Sequence, residues 1–143
     1  MRLAVFDTNV MISAGISSSG APAKLILDWV LGGRVQALIC PWTVSEYREV
    51  AQREKLLRYG FPPKWLEFLI ATSLELPDPP PWRHRLPDPK DAPFLALAHA
   101  AGAWLVTGNL KHFPARFRSG VTVISPAEYL ERLEAGNREF ERE

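Results

Sequence analysis

A chain of 143 residues is long enough for one domain with its own buried core. Apolar residues make up 47% of it and charged residues 23%, a composition typical of globular proteins that excludes a disordered chain. The net charge is +1, but the six acids and three bases from Glu128 onward leave 14 bases and 10 acids on residues 1–127. This mildly basic body is compatible with an anionic partner and equally with an ordinary solvated surface.

Targeting and membrane segments are not indicated. The apolar run Leu3–Phe6 is interrupted by Asp7 after four residues, which is too short for the core of a signal peptide. The longest apolar stretch, Phe94–Val106, contains a histidine and a glycine and is too short to cross a bilayer. Cys40 is the single cysteine, so no disulfide can form within the chain. We therefore expect a cytoplasmic protein without a membrane segment.

Short apolar runs predict strands, and apolar residues three to four positions apart predict helices. In chain order these elements are a strand at Leu3–Phe6, a helix at Ala23–Leu31, a strand at Val35–Cys40, helices at Thr43–Arg58, Pro63–Leu74 and Ala92–Ala101, strands at Trp104–Val106 and Val121–Ile124, and a last helix. The last helix begins at "SPAE", where Ser125 is the predicted N-cap, Pro126 the first helical residue and Glu128 the other half of a capping box.

Strands separated by helices indicate βαβ units. The fold class is therefore α/β, with three layers and a mostly parallel central sheet covered by helices on both faces. The two consecutive helices meet at Gly60–Pro62 and form a predicted helical hairpin. The segment Pro77–Lys90 holds six of the thirteen prolines and is interpreted as a stiff surface loop. A contact of its basic residues Arg83–Arg85 with substrate is the alternative.

Polar residues cluster at one predicted edge of the sheet. Asp7 follows the first strand, Glu46 lies in the first turn of the helix after the second strand, and Asp91 begins the helix before the third. That helix descends roughly 16 Å and the following strand climbs back roughly 13 Å, so Asn109 returns to the level of Asp91. Ligands of parallel α/β folds bind at this edge. We therefore expect these four side chains to converge.

Each of these residues also has a purely local explanation. Asp7 and Asn109 are suited to turns, Asp91 is suited to an N-cap, and Glu46 could complete a capping box with Thr43. Convergence favours a cation instead, because grouped carboxylates repel one another. Hard oxygen ligands prefer Mg²⁺ or Mn²⁺. Zinc is disfavoured because the three histidines are scattered and the cysteine stands alone.

Four blocks carry a resemblance to a known family. They are "VFDTNVMISA" near the start, "SEYREV" at Ser45–Val50, "LPDPKDAPFLALAHAAGA" at Leu86–Ala103 and "LVTGNLKHF" at Leu105–Phe113. In order and spacing the chain resembles the PIN-domain nucleases over nearly all of residues 1–130. Among these it is most similar to the VapC-like ribonuclease toxins of prokaryotic toxin–antitoxin pairs.

The resemblance implies a PIN-like fold over residues 1–134, followed by a charged C-terminal tail at 135–143. It implies hydrolysis of single-stranded RNA, a cognate antitoxin and a homodimer. It also implies Mg²⁺ or Mn²⁺ held by acids that match Asp7, Glu46 and Asp91, with Asp88 as a further source of charge. The fourth position, usually aspartate in the family, is Asn109 here. An amide oxygen can still ligate a metal, but we expect weaker binding of a second cation.

Further residues are assigned to orientation and to substrate. Ligands and the attacking water are expected to be oriented by Thr8, Asn9, Thr107 and Asn109. Backbone phosphates are expected to be held by Lys111, His112, Arg116 and Arg118, for which the alternative is an ordinary set of exposed loop charges. Trp29, Trp65 and Trp104 lie in apolar patterns and are predicted in the core, whereas Trp42 and Trp82 stay open as base-stacking candidates.

Two other functional classes were weighed. Haloacid-dehalogenase phosphatases also carry an aspartate after the first strand, but they need a second aspartate where this chain has Asn9. The second class is a binding module that retains the fold and has lost turnover through Asn109. Such a module would bind RNA or a protein without cutting, and it stays open at this point.

Overall fold

The computed structural model describes the backbone of residues 2–142 and the side chains of residues 2–136. Its strands are β1 (Arg2–Phe6), β2 (Val35–Ile39), β3 (Leu74–Glu75), β4 (Trp104–Val106) and β5 (Val123–Ile124). Its helices are α1 (Thr8–Ile16), α2 (Ala21–Val30, a π-helix from Lys24), α3 (Pro41–Ala51), α4 (Glu54–Leu57), α5 (Trp65–Thr72), α6 (Ala92–Ala101) and α7 (Pro126–Arg142).

The five strands form one sheet in the order β3-β2-β1-β4-β5, and every pair is parallel. The central strand β1 is buried from Ala4 to Phe6, as expected for a parallel strand covered on both faces. Helix α3 contacts both α1 and α6, and α2 packs against α7. The predicted α/β class with a parallel sheet flanked by helices is confirmed.

The boundaries of α3 differ from the prediction. The helix begins at Pro41 because Cys40 is its N-cap, and the Cys40 backbone N–H donates to Thr43 Oγ1 at 3.0 Å. The prediction of a single helix from Thr43 to Arg58 is wrong, because the chain turns after Ala51 and becomes helical again as α4. The turn brings Leu56 into the core at 5% exposure and leaves Leu57 55% exposed. Burial of Leu56 therefore outweighs the continuous helical pattern.

Two elements are missing from the prediction. Helix α1 was not anticipated, because its buried residues Val10, Met11 and Ala14 are flanked by further apolar residues such as the exposed Ile16, and no stripe stands out. Strand β3 comprises only two residues and pairs with the end of β2. The predicted strand at Val121–Ile124 shortens to β5.

The connecting segments follow the prediction more closely. Helices α3 and α5 are linked by an exposed ion pair between Arg48 and Glu67 (2.6 Å), as expected for a helical hairpin. The proline-rich loop packs on the segment before β5, where Trp82 Nε1 donates to the Phe117 carbonyl (3.2 Å) and Arg83 donates to Ser119 Oγ (2.8 Å). Those contacts anchor the loop as a surface connector.

The five tryptophans differ in how far they are exposed. Trp29, Trp65 and Trp104 are partly buried against the core, as is Trp82. Trp42 is 50% exposed.

Helix α7 continues through the predicted tail. Ser125 Oγ accepts from the Glu128 backbone N–H (3.2 Å), which confirms the N-cap, whereas the Glu128 carboxylate pairs with Arg132 (3.0 Å) and does not return to Ser125. The backbone of residues 135–142 is helical, and the tail's side chains from 137 onward lie outside the described residues.

No single helix within residues 2–142 has the length and apolar character needed to cross a membrane. Only α1 and α2 taken together reach that length, and they are bent by 105° at their junction.

Candidate active site

Strand pairing places Asp7 beside Thr107. Phe6 of β1 stands opposite Val106 of β4, and the Asp7 backbone N–H donates to the Val106 carbonyl at 2.9 Å. The next residue on each strand therefore emerges at the same carboxyl edge of the sheet. Tyr47 on α3 is buried and donates its hydroxyl to the Phe6 carbonyl, which ties that helix to the end of β1. No motif in the sequence signalled the role of Tyr47.

Asp7 is 4% exposed and is held by several donors. Its Oδ1 accepts from the Thr8 backbone N–H (2.7 Å), and its Oδ2 accepts from Thr107 Oγ1 (2.9 Å) and Asn9 Nδ2 (3.3 Å). Burial raises the pKa of Asp7, the hydrogen bonds from Thr107 and Thr8 partly oppose that rise, and the nearby charge of Glu46 adds to it. Asp7 thus caps α1 and still stands as a buried acid short of positive charge.

The loop after β4 is fixed against the loop after β1. Asn9 Oδ1 accepts from the Gly108 backbone N–H (3.0 Å), and Thr107 Oγ1 accepts from the Asn109 backbone N–H (3.0 Å). These bonds hold the "TGN" turn rigidly over Asp7.

Asp91, His112 and Asn109 form a second hydrogen-bonded chain. Asp91 Oδ2 lies 2.9 Å from His112 Nδ1, and His112 Nε2 lies 2.8 Å from Asn109 Nδ2. If the ring is neutral and the amide NH₂ donates to Nε2, the ring proton lies on Nδ1 and is donated to Asp91. Burial raises the pKa of Asp91 to about 6, and the charges of Asp7 and Asp88 add to this rise against the opposing effect of His112.

These groups surround one cavity of about 350 Å³, which we call the acidic cavity. Its polar and charged lining consists of Asp7, Thr8, Asn9, Glu46, Arg53, Asp88, Lys90, Asp91, Asn109 and His112. Four separate segments thus bring Asp7, Glu46, Asp91 and Asn109 to one cavity, as the order of elements predicted, and Asp88 adds a fourth carboxylate from the segment of Asp91. Thr107 stands behind Asp7 and completes the set of residues brought together.

Local explanations for two of the acids do not hold. Asp91 makes no side-chain capping bond to α6 and turns to His112 instead. Glu46 lies in the second turn of α3, not the first, and the capping box of that helix uses Cys40 and Thr43. Asp88, by contrast, caps a short turn by accepting from the Lys90 backbone N–H at 3.0 Å.

The predicted phosphate-binding residues separate into two groups. His112 lines the acidic cavity, where it bonds Asp91 and Asn109. Lys111 and Arg116 are not among the lining residues, and the Arg116 guanidinium lies 4.6 Å from the centre of the Phe117 ring. The basic residues that do line the cavity are Arg53 and Lys90. The position of Lys90 could have been predicted from the sequence, because it directly precedes Asp91. That of Arg53 could not, because it depends on the turn that ends α3.

The donor set fits a hard divalent cation. Within the described residues, no three His, Cys, Asp or Glu side chains are grouped closely enough to enclose a metal ion, so the carboxylates line an open cavity. They nevertheless present oxygen ligands of the kind that Mg²⁺ and Mn²⁺ prefer, and burial together with neighbouring carboxylates raises the pKa of both Asp7 and Asp91. The buried Thr8 hydroxyl lines the same cavity and has no hydrogen-bond partner in the described part of the chain.

Comparisons with known proteins agree with this architecture. A search of curated proteins found no match. Among solved structures, the fold is similar to a chain of VapBC2 from Rickettsia felis bound to a DNA fragment from their promoter, with a TM-score of 0.61 and 13% identity over 86% of this chain and 98% of that chain. It is also similar to a chain of FitAcB from Neisseria gonorrhoeae, with a TM-score of 0.54 and 19% identity over 86% of this chain and 97% of that chain.

The family model described as PIN domain matches residues 3–111, which include both strands that end at the acidic cavity and all four of its carboxylates. The predicted resemblance is therefore confirmed, and the chain belongs to the PIN domain family.

Proposed function

We propose that this chain is a divalent-metal-dependent endoribonuclease that hydrolyses phosphodiester bonds in single-stranded RNA. The observation that carries the proposal is the convergence of four carboxylates on one cavity, where burial and mutual repulsion raise the pKa of Asp91 to about 6. Such a cluster repels an anionic phosphodiester unless a cation lies between them. When bound, Mg²⁺ or Mn²⁺ would polarise a phosphoryl oxygen and lower the pKa of a water molecule.

The residues of the chain divide this work. Asp7, Glu46 and Asp91 supply the ligand oxygens, with Asp88 adding negative charge. Thr107 and Asn9 fix the orientation of the Asp7 carboxylate through their hydrogen bonds, and His112 does the same for Asp91. When its NH₂ group donates to His112, Asn109 keeps its carbonyl oxygen available to accept from a water or to meet the cation. Arg53 and Lys90, on the cavity wall, hold the flanking phosphates.

The biological setting is part of the same proposal. The resemblance to VapC-like toxins and the fold shared with chains of VapBC2 and FitAcB support it. We place this chain in the cytoplasm as the toxin of a toxin–antitoxin pair, in which a homodimer is bound by an antitoxin that covers the acidic cavity. An antitoxin encoded next to this chain would support that assignment.

A cleavage assay tests the proposed activity. Purified protein is incubated with end-labelled single-stranded RNA, the matching RNA duplex and single-stranded DNA, with Mn²⁺ and then with EDTA. We expect internal cleavage of the single-stranded RNA that stops on chelation. Cleavage that persists in EDTA would exclude metal-dependent hydrolysis. Binding of RNA without any product, across several RNAs and Mn²⁺ concentrations, would favour the binding module.

Asn109 is the feature that keeps the binding module as a second candidate. The position holds a neutral amide bonded to His112, where the family usually has a carboxylate. We expect Asn109→Asp to lower the Mn²⁺ concentration for half-maximal cleavage roughly tenfold, because metal affinity rises with ligand charge. Cleavage rates measured across a Mn²⁺ titration check this. If Asn109→Asp cuts RNA and the unmodified chain does not, the chain is a binding module and Asn109 is the cause.

A further inference from the structure

A second cavity adjoins the acidic cavity. It encloses about 180 Å³, and its walls include Glu46, Lys90 and Phe94, which also line the acidic cavity. The remaining walls are formed by Trp42, Pro89 and Pro93. We call it the Trp42 pocket. The two cavities are therefore neighbours, and a strand that leaves the acidic cavity past Glu46 and Lys90 meets the Trp42 pocket.

Trp42 is placed to serve this pocket. It precedes Glu46 by four residues on α3, so the two side chains lie on the same face of the helix, one turn apart. The Trp42 backbone N–H donates to Asp78 Oδ1 at 2.9 Å, which anchors this end of the helix to the proline-rich loop. The side chain itself is 50% exposed, unlike the partly buried Trp29, Trp65 and Trp104.

The walls of the pocket define the chemistry of its occupant. One indole ring, two prolines and a phenylalanine make apolar walls, and the side shared with the acidic cavity carries one lysine, Lys90, and one carboxylate, Glu46. Such walls suit a flat ring that is attached to a negative charge on the lysine side. The volume is below the roughly 300–1,000 Å³ of pockets for drug-sized ligands, so it suits one ring system and not a whole nucleotide.

We propose that the Trp42 pocket is a stacking subsite for the unpaired nucleobase next to the phosphate that lies in the acidic cavity. The inference deepens the proposed ribonuclease activity and rests on it. Indole rings stack on every nucleobase, and a base held in a duplex is not free to enter the pocket. The subsite thus accounts for a preference for single strands and adds little preference for sequence.

The test combines a protein change with a substrate change. A short RNA with one mapped cut is prepared intact and with an abasic nucleotide on either side of the cut bond. We expect Trp42→Ala to lower kcat/KM on the intact RNA about tenfold, since base stacking on an aromatic ring contributes about that factor or more. We expect Trp42→Phe to restore most of it. Phe68→Ala, which removes an aromatic side chain 59% exposed on α5, is the matched control without effect.

The abasic substrates separate stacking from a structural role of Trp42. One of them is expected to lose about tenfold with the unmodified protein and to lose nothing further with Trp42→Ala, because the base and the ring are two halves of one contact. Full activity of Trp42→Ala on intact RNA would overturn the inference and would indicate that the Trp42 ring contacts a protein instead of a nucleobase. Losses that simply multiply at both abasic positions would also overturn it.

Binding gives a readout that does not depend on cleavage. The same proteins and RNAs are compared by fluorescence anisotropy of a labelled RNA. If nothing is cut but Trp42→Ala and the abasic RNA weaken binding without adding to each other, the ribonuclease proposal fails and the stacking subsite stands. If RNA is cut and neither change alters binding or cleavage, the reverse holds.

Discussion

Asp7→Asn is expected to reduce metal-dependent RNA cleavage by more than about 100-fold, the upper range seen when only an outer-sphere partner of a metal ligand is removed. The substitution removes the negative charge at the centre of the acidic cavity, where Asp7 is 4% exposed and held by donors from three residues. Because an amide retains the shape of the carboxyl group, the protein should stay folded. Cleavage rates at fixed Mn²⁺ and circular dichroism of the variant are the measurements.

Asp28→Asn is the matched control for this charge change. Asp28 is exposed on α2 and does not line the acidic cavity. It should cleave RNA at the rate of the unmodified chain. A folded Asp7→Asn protein with unaltered cleavage would remove Asp7 from the mechanism and the proposed function with it.

Asp91→Asn is expected to stabilise the metal-free protein at neutral pH while impairing cleavage. The pKa of Asp91 is raised from 3.8 to about 6 in the folded state, so folding costs free energy at every pH where this carboxylate is ionised in the unfolded chain. One pKa unit corresponds to about 1.4 kcal/mol, and the weaker hydrogen bond between His112 and an amide at position 91 offsets part of the gain. We expect about 1–2 kcal/mol of added stability at pH 7, or a rise in Tm of about 3–8 °C.

The added stability of Asp91→Asn is expected to depend on pH. Between about pH 4 and pH 6 the folded protein binds more protons at Asp91 than the unfolded chain does, so the contribution of Asp91 to stability falls as the pH rises through that window. The advantage of Asp91→Asn should therefore disappear near pH 4 and be complete above pH 6. Thermal unfolding in EDTA across pH 4–7 measures it, with the exposed Glu49→Gln as the control. If the variant is less stable than the unmodified chain at pH 7, the ionised carboxylate of Asp91 does not destabilise the folded protein.

The fold was largely accessible from the sequence because continuous apolar runs and glycine stops mark buried parallel strands and helix ends. The φ of +64° at Gly102 shows why α6 ends at the predicted residue. The break after Ala51 was not accessible, since it depends on which of two adjacent leucines, Leu56 or Leu57, reaches the core. Helix α1 was not predicted because the half-buried Ile12 and the exposed Ile16 hide the stripe of its buried residues.

The candidate site shows the same division. Asp7 meets Thr107 because β1 pairs with β4, and of this the order of elements predicts only that both residues reach the same edge of the sheet. The place of His112 does not follow, because its contact with Asp91 spans 21 residues and depends on the path of a loop. Lys111 was equally hard to place from the sequence. It is adjacent to His112 in the chain but does not line the acidic cavity. Periodicity locates backbone elements, whereas side-chain contacts across loops require coordinates.

The most direct measurement of the central claim is a Mn²⁺ titration of the metal-free protein by calorimetry, without RNA. Glu46→Gln removes a carboxylate from the acidic cavity, and Glu49→Gln removes one from the exposed surface of the same helix. We expect saturable binding that Glu46→Gln weakens at least about tenfold and Glu49→Gln leaves unchanged. Equal affinities for all three proteins, or no binding at all, would contradict a cation site built from these carboxylates.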